Sequence, residues 1–516
     1  MSDASPPTRP VRVAAAPVAA AFIAAAVAVV QLRHGVLQIL DTGSYLSGAQ
    51  AIRDGHPFTS TIAPSFSNFT VIDFLDRGGR LPFVDFPLGY STLAGILSFV
   101  VGARKALGLL CVIATAALAA AITVGPGTPN HATTRWLRAG FAALVVGIPV
   151  YRLTVQGVLS EPLFCAVLVG FVASLARYRR TGERFRSTCG LGAALGLLRF
   201  LGGGLAFLVA AEHYRRNRKV KPALLTAAAC LVPVVANVLW AGSVGGGHTA
   251  HWHGIDRHDL KLVGRSVSGM LDATTGDLAK TLLKVGDQLP WWGYPLTLAW
   301  IAAVVLAGLQ FVGLVRRRVL PAALELSLVA AGFLTVSLFG GIAFFDALAT
   351  PDNRIMVPAG LITLCGLVWC IDVAGPRLAV AVAAVGLWAL SAVRPWDAGH
   401  LFSQPDRLAA AKQFAGLDAS VVITNDADGL YFLTGLPSAY LPPERMSLTD
   451  EPVDRVALFD QLPCALWEHH GVVIVFANAM FGVLGQGELD ALVAAGRLEV
   501  EPFDAGAVYR PSEFSC

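Results

Sequence analysis

Of the 516 residues in this chain, 55% are hydrophobic and 14% charged, and the mean hydropathy is +0.61, which excludes an ordinary soluble globular protein. The net charge of +4 is unevenly divided: residues 394–516 hold 7 Lys or Arg against 17 Asp or Glu, a net of −10, whereas residues 1–393 carry +14. Basic loops held against anionic headgroups and a separate water-soluble tail explain that division; nucleic-acid binding does not.

Apolar runs long enough to span a bilayer fall at 12–30, 87–103, 106–124, 136–150, 157–176, 188–211, 222–241, 291–315, 320–345, 355–371 and 373–393, predicting a polytopic α-helical membrane protein. The first run is read as a retained helix, because no small-residue cleavage site follows it and ten further runs do. Arg177-Tyr-Arg-Arg180, Arg215-Arg-Asn-Arg-Lys219 and Arg316-Arg-Arg318 mark cytoplasmic loops, so that loops 41–86 and 242–290 and the acidic tail fall on the extracytoplasmic side. Run 188–211 is basic at both ends. Its glycines and Arg199-Phe-Leu-Gly-Gly-Gly204 predict two short segments meeting near Arg199, which leaves both flanks on one side. A second broken segment within 87–150, or one basic flank on the outer side, then restores the parity of the first half.

Loop 41–86 begins with Asp41-Thr-Gly-Ser-Tyr45 and ends with Asp85-Phe-Pro-Leu-Gly-Tyr90. A carboxylate at a membrane edge is costly unless it is solvated or faces a polar ligand, so Asp41 reads either as a helix boundary or as a reacting group. The loop also has the composition of short interfacial helices. Glu161, in Ser160-Glu-Pro-Leu-Phe164, either caps a helix start or faces a cleft. Arg199, between Leu198 and Phe200, needs a counter-charge or a phosphate. Arg354, in Asp352-Asn-Arg354, has a fork that suits Asp352 or a phosphate. His248, His251, His253 and His258 lie with Asp256 and Asp259 in loop 242–290; the spacing is loose, so a divalent cation is one reading and substrate contact another. Trp291-Trp-Gly-Tyr294 reads as an interfacial anchor or as sugar-facing ring surface.

In the tail, Ser420–Asn425 and Gly471–Phe476 are predicted strands, Asp426–Gly435 and Gly487–Gly496 predicted helices, and Leu498–Phe503 a last strand. Together they make a small α/β domain over 394–516 with no glycine-rich nucleotide fingerprint, read as a support, acceptor-binding or partner-binding unit. Cys464 and Cys516 are the pair available there, as a disulfide or as two thiols.

Asp41 after the first helix, Asp85 late in the loop, Ser160-Glu161-Pro162-Leu163-Phe164, the glycine-broken segment at Arg199 and Asp352-Asn-Arg354 with Pro358 resemble the membrane glycosyltransferases of the GT-C superfamily over about 12–393. Val422-Ile-Thr-Asn425 and Leu430-Tyr-Phe-Leu-Thr-Gly435 resemble the external α/β domain of some bacterial members. The resemblance implies a GT-C-like catalytic body over 1–393 in a bacterial plasma or inner membrane, with its site and tail domain extracytoplasmic. It implies a polyprenyl-phosphate sugar as donor, arabinofuranose or mannose, and a cell-envelope glycan, glycolipid or protein as acceptor. Asp41, Asp85 and Glu161 are the expected catalytic residues, and Tyr45, Arg199, His251, His253 and Arg354 the expected substrate contacts. No cofactor is assigned: the Asp-x-Asp that some members carry in external loops has no equivalent here, and a divalent cation stays open. A flippase of lipid-linked intermediates and a noncatalytic scaffold are the rival readings.

Overall fold

The computed structural model describes residues 15–33, 36, 40–63, 69–84, 86–126, 132–147, 149–244, 321–344, 353–370, 419–442, 453–477, 485–504, 506–513 and 516. The predicted runs 291–315 and 373–393, the histidine loop and Trp291–Tyr294 lie outside them. α1 (Ala15–Arg33) buries Ala16, Ala20, Ala24 and Ala28, a small-residue stripe at helical spacing that lets a neighbouring helix approach closely. Phe22 and Val30 stay outward on the lipid side. α2 (Leu40–Arg53) follows, then β1 (Thr59–Ser60), β2 (Ile62–Ala63), α3 (Val71–Asp76) and β3 (Leu81–Pro82). α3 starts on a capping box in which the Asp73 carboxylate accepts from Thr70 N–H and the Thr70 hydroxyl accepts from Asp73 N–H, two first-turn donors satisfied reciprocally.

α4 (Leu88–Val101) departs from the predicted span 87–103. Its fourteen residues reach only about 21 Å, and the chain turns at Gly102, whose φ of 80° suits only glycine. α4 lies alongside α2: Gly95 meets Ile52, and Gly48 meets Ser91. α5 (Ala103–Val124) leaves from the same level and runs antiparallel to α1, with Leu32 against Gly108. It is α5 that crosses, ending near Arg180, whose guanidinium donates to Pro126 O. α6 (Ala132–Gly147) and α7 (Pro149–Gln156) together carry the chain back, replacing the single predicted run 136–150.

α8 (Glu161–Thr181) descends again. α9 (Phe185–Leu198), a 3₁₀ turn (Phe200–Gly204) and α10 (Leu205–Asn217) form the interrupted segment that the glycines predicted. The C-terminal ends of α8 and α10 meet: Arg179 pairs with Glu212 at 2.5 Å, and Tyr178 shares a hydrogen bond with His213 at 3.0 Å. Both basic flanks of α9–α10 therefore lie on one face, with Arg199 at the inner tip of a re-entrant pair. α11 (Val220–Ser243) crosses to the other face, where Trp240 meets Phe58. α12 (Ala322–Phe344) returns from Glu325, which pairs with Arg179, and α13 (Asn353–Trp369) descends until Trp369 Nε1 donates to Ile122 O. α1, α5, α8 and α11 are each long and apolar enough to cross a membrane. With α4 short and α9–α10 re-entrant, the parity of the first half closes without placing a basic flank on the far side.

The tail follows as β4 (Val421–Thr424), α14 (Ala427–Thr434), β5 (Ser438–Tyr440), α15 (Arg455–Glu468), β6 (Gly471–Phe476), α16 (Gln486–Ala494), β7 (Leu498–Phe503) and β8 (Gly506–Pro511). One sheet takes strands in the order β2-β5-β4-β6-β8-β7. β2, β5, β4 and β6 pair in parallel, β8 pairs antiparallel with β6, and β7 pairs antiparallel with β8. β4 and β6 are buried throughout, as strands covered on both faces are. The edge strand β2 comes from loop 41–86, with Ile62 opposite Ser438, and α3 packs on α15, with Asp76 3.4 Å from His469. Loop and tail thus share one sheet and one core.

Cys464 and Cys516 are bridged, with Cα atoms 5.0 Å apart across a sequence separation of 52. Closing a loop of that length removes about 4 kcal/mol of chain entropy from the unfolded state. Cys464→Ser, or reduction, is therefore expected to lower the melting temperature of the tail measured by circular dichroism. An unchanged temperature would show that the bridge adds nothing to the sheet.

Candidate active site at the membrane edge

Asp41 and Tyr45 are one helical turn apart on α2 and share a face. Asp41 is half-buried and Tyr45 buried. Two contacts hold this end of α2 on the 157–160 loop, the Thr42 hydroxyl donating to Gly157 O at 2.8 Å and the Tyr45 hydroxyl lying 3.0 Å from Ser160 Oγ, and α4 adds a third, the Tyr90 hydroxyl donating to Val158 O at 2.7 Å. The Tyr45 ring packs edge-on to Tyr90, centroids 4.8 Å apart. Val158 has φ 45°, a conformation that costs a β-branched residue on the order of 1–3 kcal/mol and persists only where its surroundings hold it.

Glu161 opens α8 directly beyond Ser160 and is fully buried. Glu161 stands at the helix start, and its Oε1 lies 2.6 Å from Arg199 Nη1, the counter-charge that a guanidinium within a membrane segment needs. Arg199 occupies the break between α9 and the 3₁₀ turn, with φ −152° and ψ 135°. Extended backbone there turns its side chain out of the helical row. Glycine is needed at 202, where a Cβ would come within 2.4 Å of Leu195 O. α4 approaches the same tip, Gly89 lying against Leu197 O. Tyr45, Ser160, Glu161 and Arg199 thus form one line of neighbours beyond Asp41, and burial foremost raises the Tyr45 phenol pKa, with Asp41 and Glu161 raising it further and Arg199 opposing them.

The other side of α2's first turn is closed by the tail. Asp428 Oδ1 accepts from Ser44 N at 3.1 Å and from Ser44 Oγ at 3.3 Å, and Asp428 Oδ2 accepts from the Tyr440 hydroxyl at 3.0 Å. Only glycine fits at 43, where a Cβ would lie 2.5 Å from Asp428 Oδ1. A carboxyl group from a distant part of the chain therefore docks on the helix that carries Asp41. Burial first, then the charges of Asp41 and Asp426, push the Asp428 pKa well above the ordinary carboxylate range, against the hydrogen bonds from Tyr440 and Ser44. The sequence reading assigned 426–435 only a helix; the one signal for Asp428 was a second acid inside an otherwise apolar stretch.

The sign of the linkage follows from that raised pKa. Native Asp428 holds its proton at pH values where the unfolded chain has lost it, so its contribution is complete below the ordinary carboxylate range and is lost as pH rises toward the native pKa. Asp428→Asn is expected to flatten the fall of melting temperature with pH above about 4 while keeping the fold. Asp428→Ala, which leaves Ser44 N–H without this acceptor, is expected to cost about 1–3 kcal/mol at every pH. Parallel profiles for wild type and Asp428→Asn would rule out this titration.

Asp85 lies outside the described residues, as do His251 and His253. Arg354 begins α13, but its side chain is likewise outside them. The carboxylate of Glu161 is balanced by Arg199. Cys464, Glu468 and Cys516 also converge, but the disulfide leaves no thiolate there to hold an ion.

No protein-family model matches the sequence, and no curated protein sequence does. Among solved structures, the crystal structure of ArnT from Cupriavidus metallidurans bound to undecaprenyl phosphate is similar, with a TM-score of 0.52 and 12% identity over 95% of this chain and 97% of that one. The Archaeoglobus fulgidus oligosaccharyltransferase in complex with Zn and sulfate also aligns, with a TM-score of 0.42 and 11% identity over 97% of this chain and 73% of that one. The chain has a GT-C-like polytopic α-helical membrane fold carrying a small C-terminal α/β domain.

Proposed function

We propose that this protein is a glycosyltransferase that moves a sugar from a polyprenyl-phosphate carrier to a hydroxyl of a cell-envelope acceptor. The observation that carries the reading is the chain of contacts at one membrane edge that leads from the helix of Asp41, docked from outside, through Tyr45 and Ser160 to the Glu161–Arg199 pair at the tip of the re-entrant segment. A similar fold holds undecaprenyl phosphate, and a lipid phosphate is a ligand that such a guanidinium suits. The disulfide in the tail and the basic loops on the opposite face support an extracytoplasmic site.

Asp41 accepts the proton of the acceptor hydroxyl as its oxygen attacks the anomeric carbon. The bond from that carbon to the phosphate oxygen breaks, and its electron pair leaves with the polyprenyl phosphate. Arg199 stabilises the negative charge that grows on this leaving group. Glu161 holds Arg199 in register, while Tyr45 and Ser160 fix the wall between acid and guanidinium. Carboxylates beside the anomeric carbon also favour its developing oxocarbenium character. Asp85 and Arg354 are assigned to acceptor orientation and phosphate contact, and His251 and His253 to substrate contact.

The test uses purified protein in proteoliposomes with polyprenyl-phosphate mannose and polyprenyl-phosphate arabinofuranose, each radiolabelled in the sugar, and an envelope extract as acceptor. Loss of label from the lipid into a new glycoside with one donor supports the reading and names the sugar. Movement of intact labelled lipid between leaflets with no new glycosidic bond would identify a flippase instead.

A further inference from the structure

We propose a second lipid site: a cleft that seats the phosphate-bearing headgroup of an anionic lipid whose chains lie along α4. The cleft has a volume of about 660 Å³ and is enclosed by the end of α2, the α4–α5 turn and the tail around Tyr431 and Pro437. The cleft reaches back along α2 to Leu46, but its cation Arg53, the last residue of α2, is twelve residues from Asp41, roughly 18 Å, so its cationic end is separate from the Asp41–Arg199 cluster.

Three features identify the ligand. Arg53, Arg80, Arg104 and Lys105 line the cleft. Its one lining carboxylate, Asp54, accepts from Gln50 Nε2 at 3.1 and 3.2 Å, and among the described residues no acid pairs with Arg53, Arg80 or Lys105. Arg104 instead holds the tail, its guanidinium over the Phe432 ring at 4.5 Å. These cations also sit on the face opposite the basic loops, where the bias that places basic residues on one side gives no reason for them. Second, α5 begins in the cleft with no side-chain cap at Gly102, so its first-turn N–H groups add to the positive field. Third, Leu93, Ile96, Phe99 and Val100 are 43%, 57%, 66% and 84% exposed. They form an apolar stripe on α4 that ends at Val101, itself a lining residue. A cationic cup continuous with an apolar stripe fits an anionic amphiphile better than a soluble anion.

The experiment uses full-length protein in nanodiscs of phosphatidylcholine containing phosphatidylglycerol, with retained lipid counted by native mass spectrometry. Wild type is expected to retain phosphatidylglycerol preferentially. Arg80→Gln with Lys105→Gln is expected to lower that preference on the order of tenfold, whereas Lys221→Gln on the opposite face leaves it unchanged. Equal retention by wild type and the double variant overturns the proposal, and so does displacement of the lipid by inorganic phosphate at the same concentration, which would mark a site for the bare anion. A photoreactive phosphatidylglycerol on wild type avoids dependence on the variant's folding. Label within residues 88–105 supports the site, and label confined to other segments overturns it. Both readouts are independent of glycosyl transfer, so they stand or fall apart from the catalytic reading.

Discussion

Asp41→Asn is expected to reduce sugar transfer by about 10²- to 10⁴-fold, the range for loss of one positioned general base, while leaving the protein folded. The amide matches the carboxylate in size, and the contacts that Thr42, Tyr45 and Ser44 make to seat α2 stay in place. Thr42 keeps Gly157 O, Tyr45 keeps Ser160, and Ser44 keeps Asp428. What is lost is a group able to take the proton as the acceptor oxygen attacks. The loss should therefore fall on kcat, with donor affinity nearly unchanged, because the donor phosphate is assigned to Arg199. Steady-state transfer at saturating donor, with a melting curve of the same preparation, measures both. Turnover within a few-fold of wild type would remove Asp41 from the reaction. A loss confined to donor KM would make it a binding residue.

The features carried by local pattern were legible in the sequence. The Gly-rich stretch around Arg199 foretold the broken segment because irregular backbone inside a membrane needs small residues and a polar partner. Val421–Thr424 and Gly471–Phe476 were legible because fully buried parallel strands read as unbroken apolar runs. α4 was read as a span because the apolar run 87–103 is longer than the helix it forms, which ends at Gly102 after fourteen residues. The corrective signals were Gly102 and the charges of Arg104 and Lys105 behind it. Two pairings were beyond any local pattern. β2 is two residues long and finds its partner, β5, near the other end of the chain. Asp428 meets Ser44 only because that shared sheet sets α14 on α2. Glu161 and Arg199 were each legible as costly charges, but their mutual contact rests on the α8–α9 packing that only the fold supplies.

That contact yields the sharpest separation between a structural and a chemical role. The Glu161 side chain is 1% exposed and that of Arg199 18%, so removing either alone leaves a largely desolvated charge, at a cost of about 3–5 kcal/mol. Glu161→Gln and Arg199→Gln are each expected to lower the melting temperature markedly and to abolish transfer, which by itself distinguishes nothing. The double variant does. With both charges gone, the amides can hydrogen-bond to each other, and stability is expected to return close to wild type. If the pair only braced α8 against α9, transfer would return with it. If Arg199 also meets the departing phosphate, the double variant stays about 10²- to 10³-fold slow, as for loss of one donor to a developing anion. Arg199→Lys supplies the intermediate case: it keeps the charge and loses the planar fork, so stability should fall less than transfer does. Recovery of both stability and transfer in the double variant would reduce Arg199 to a strut and shift the phosphate to Arg354.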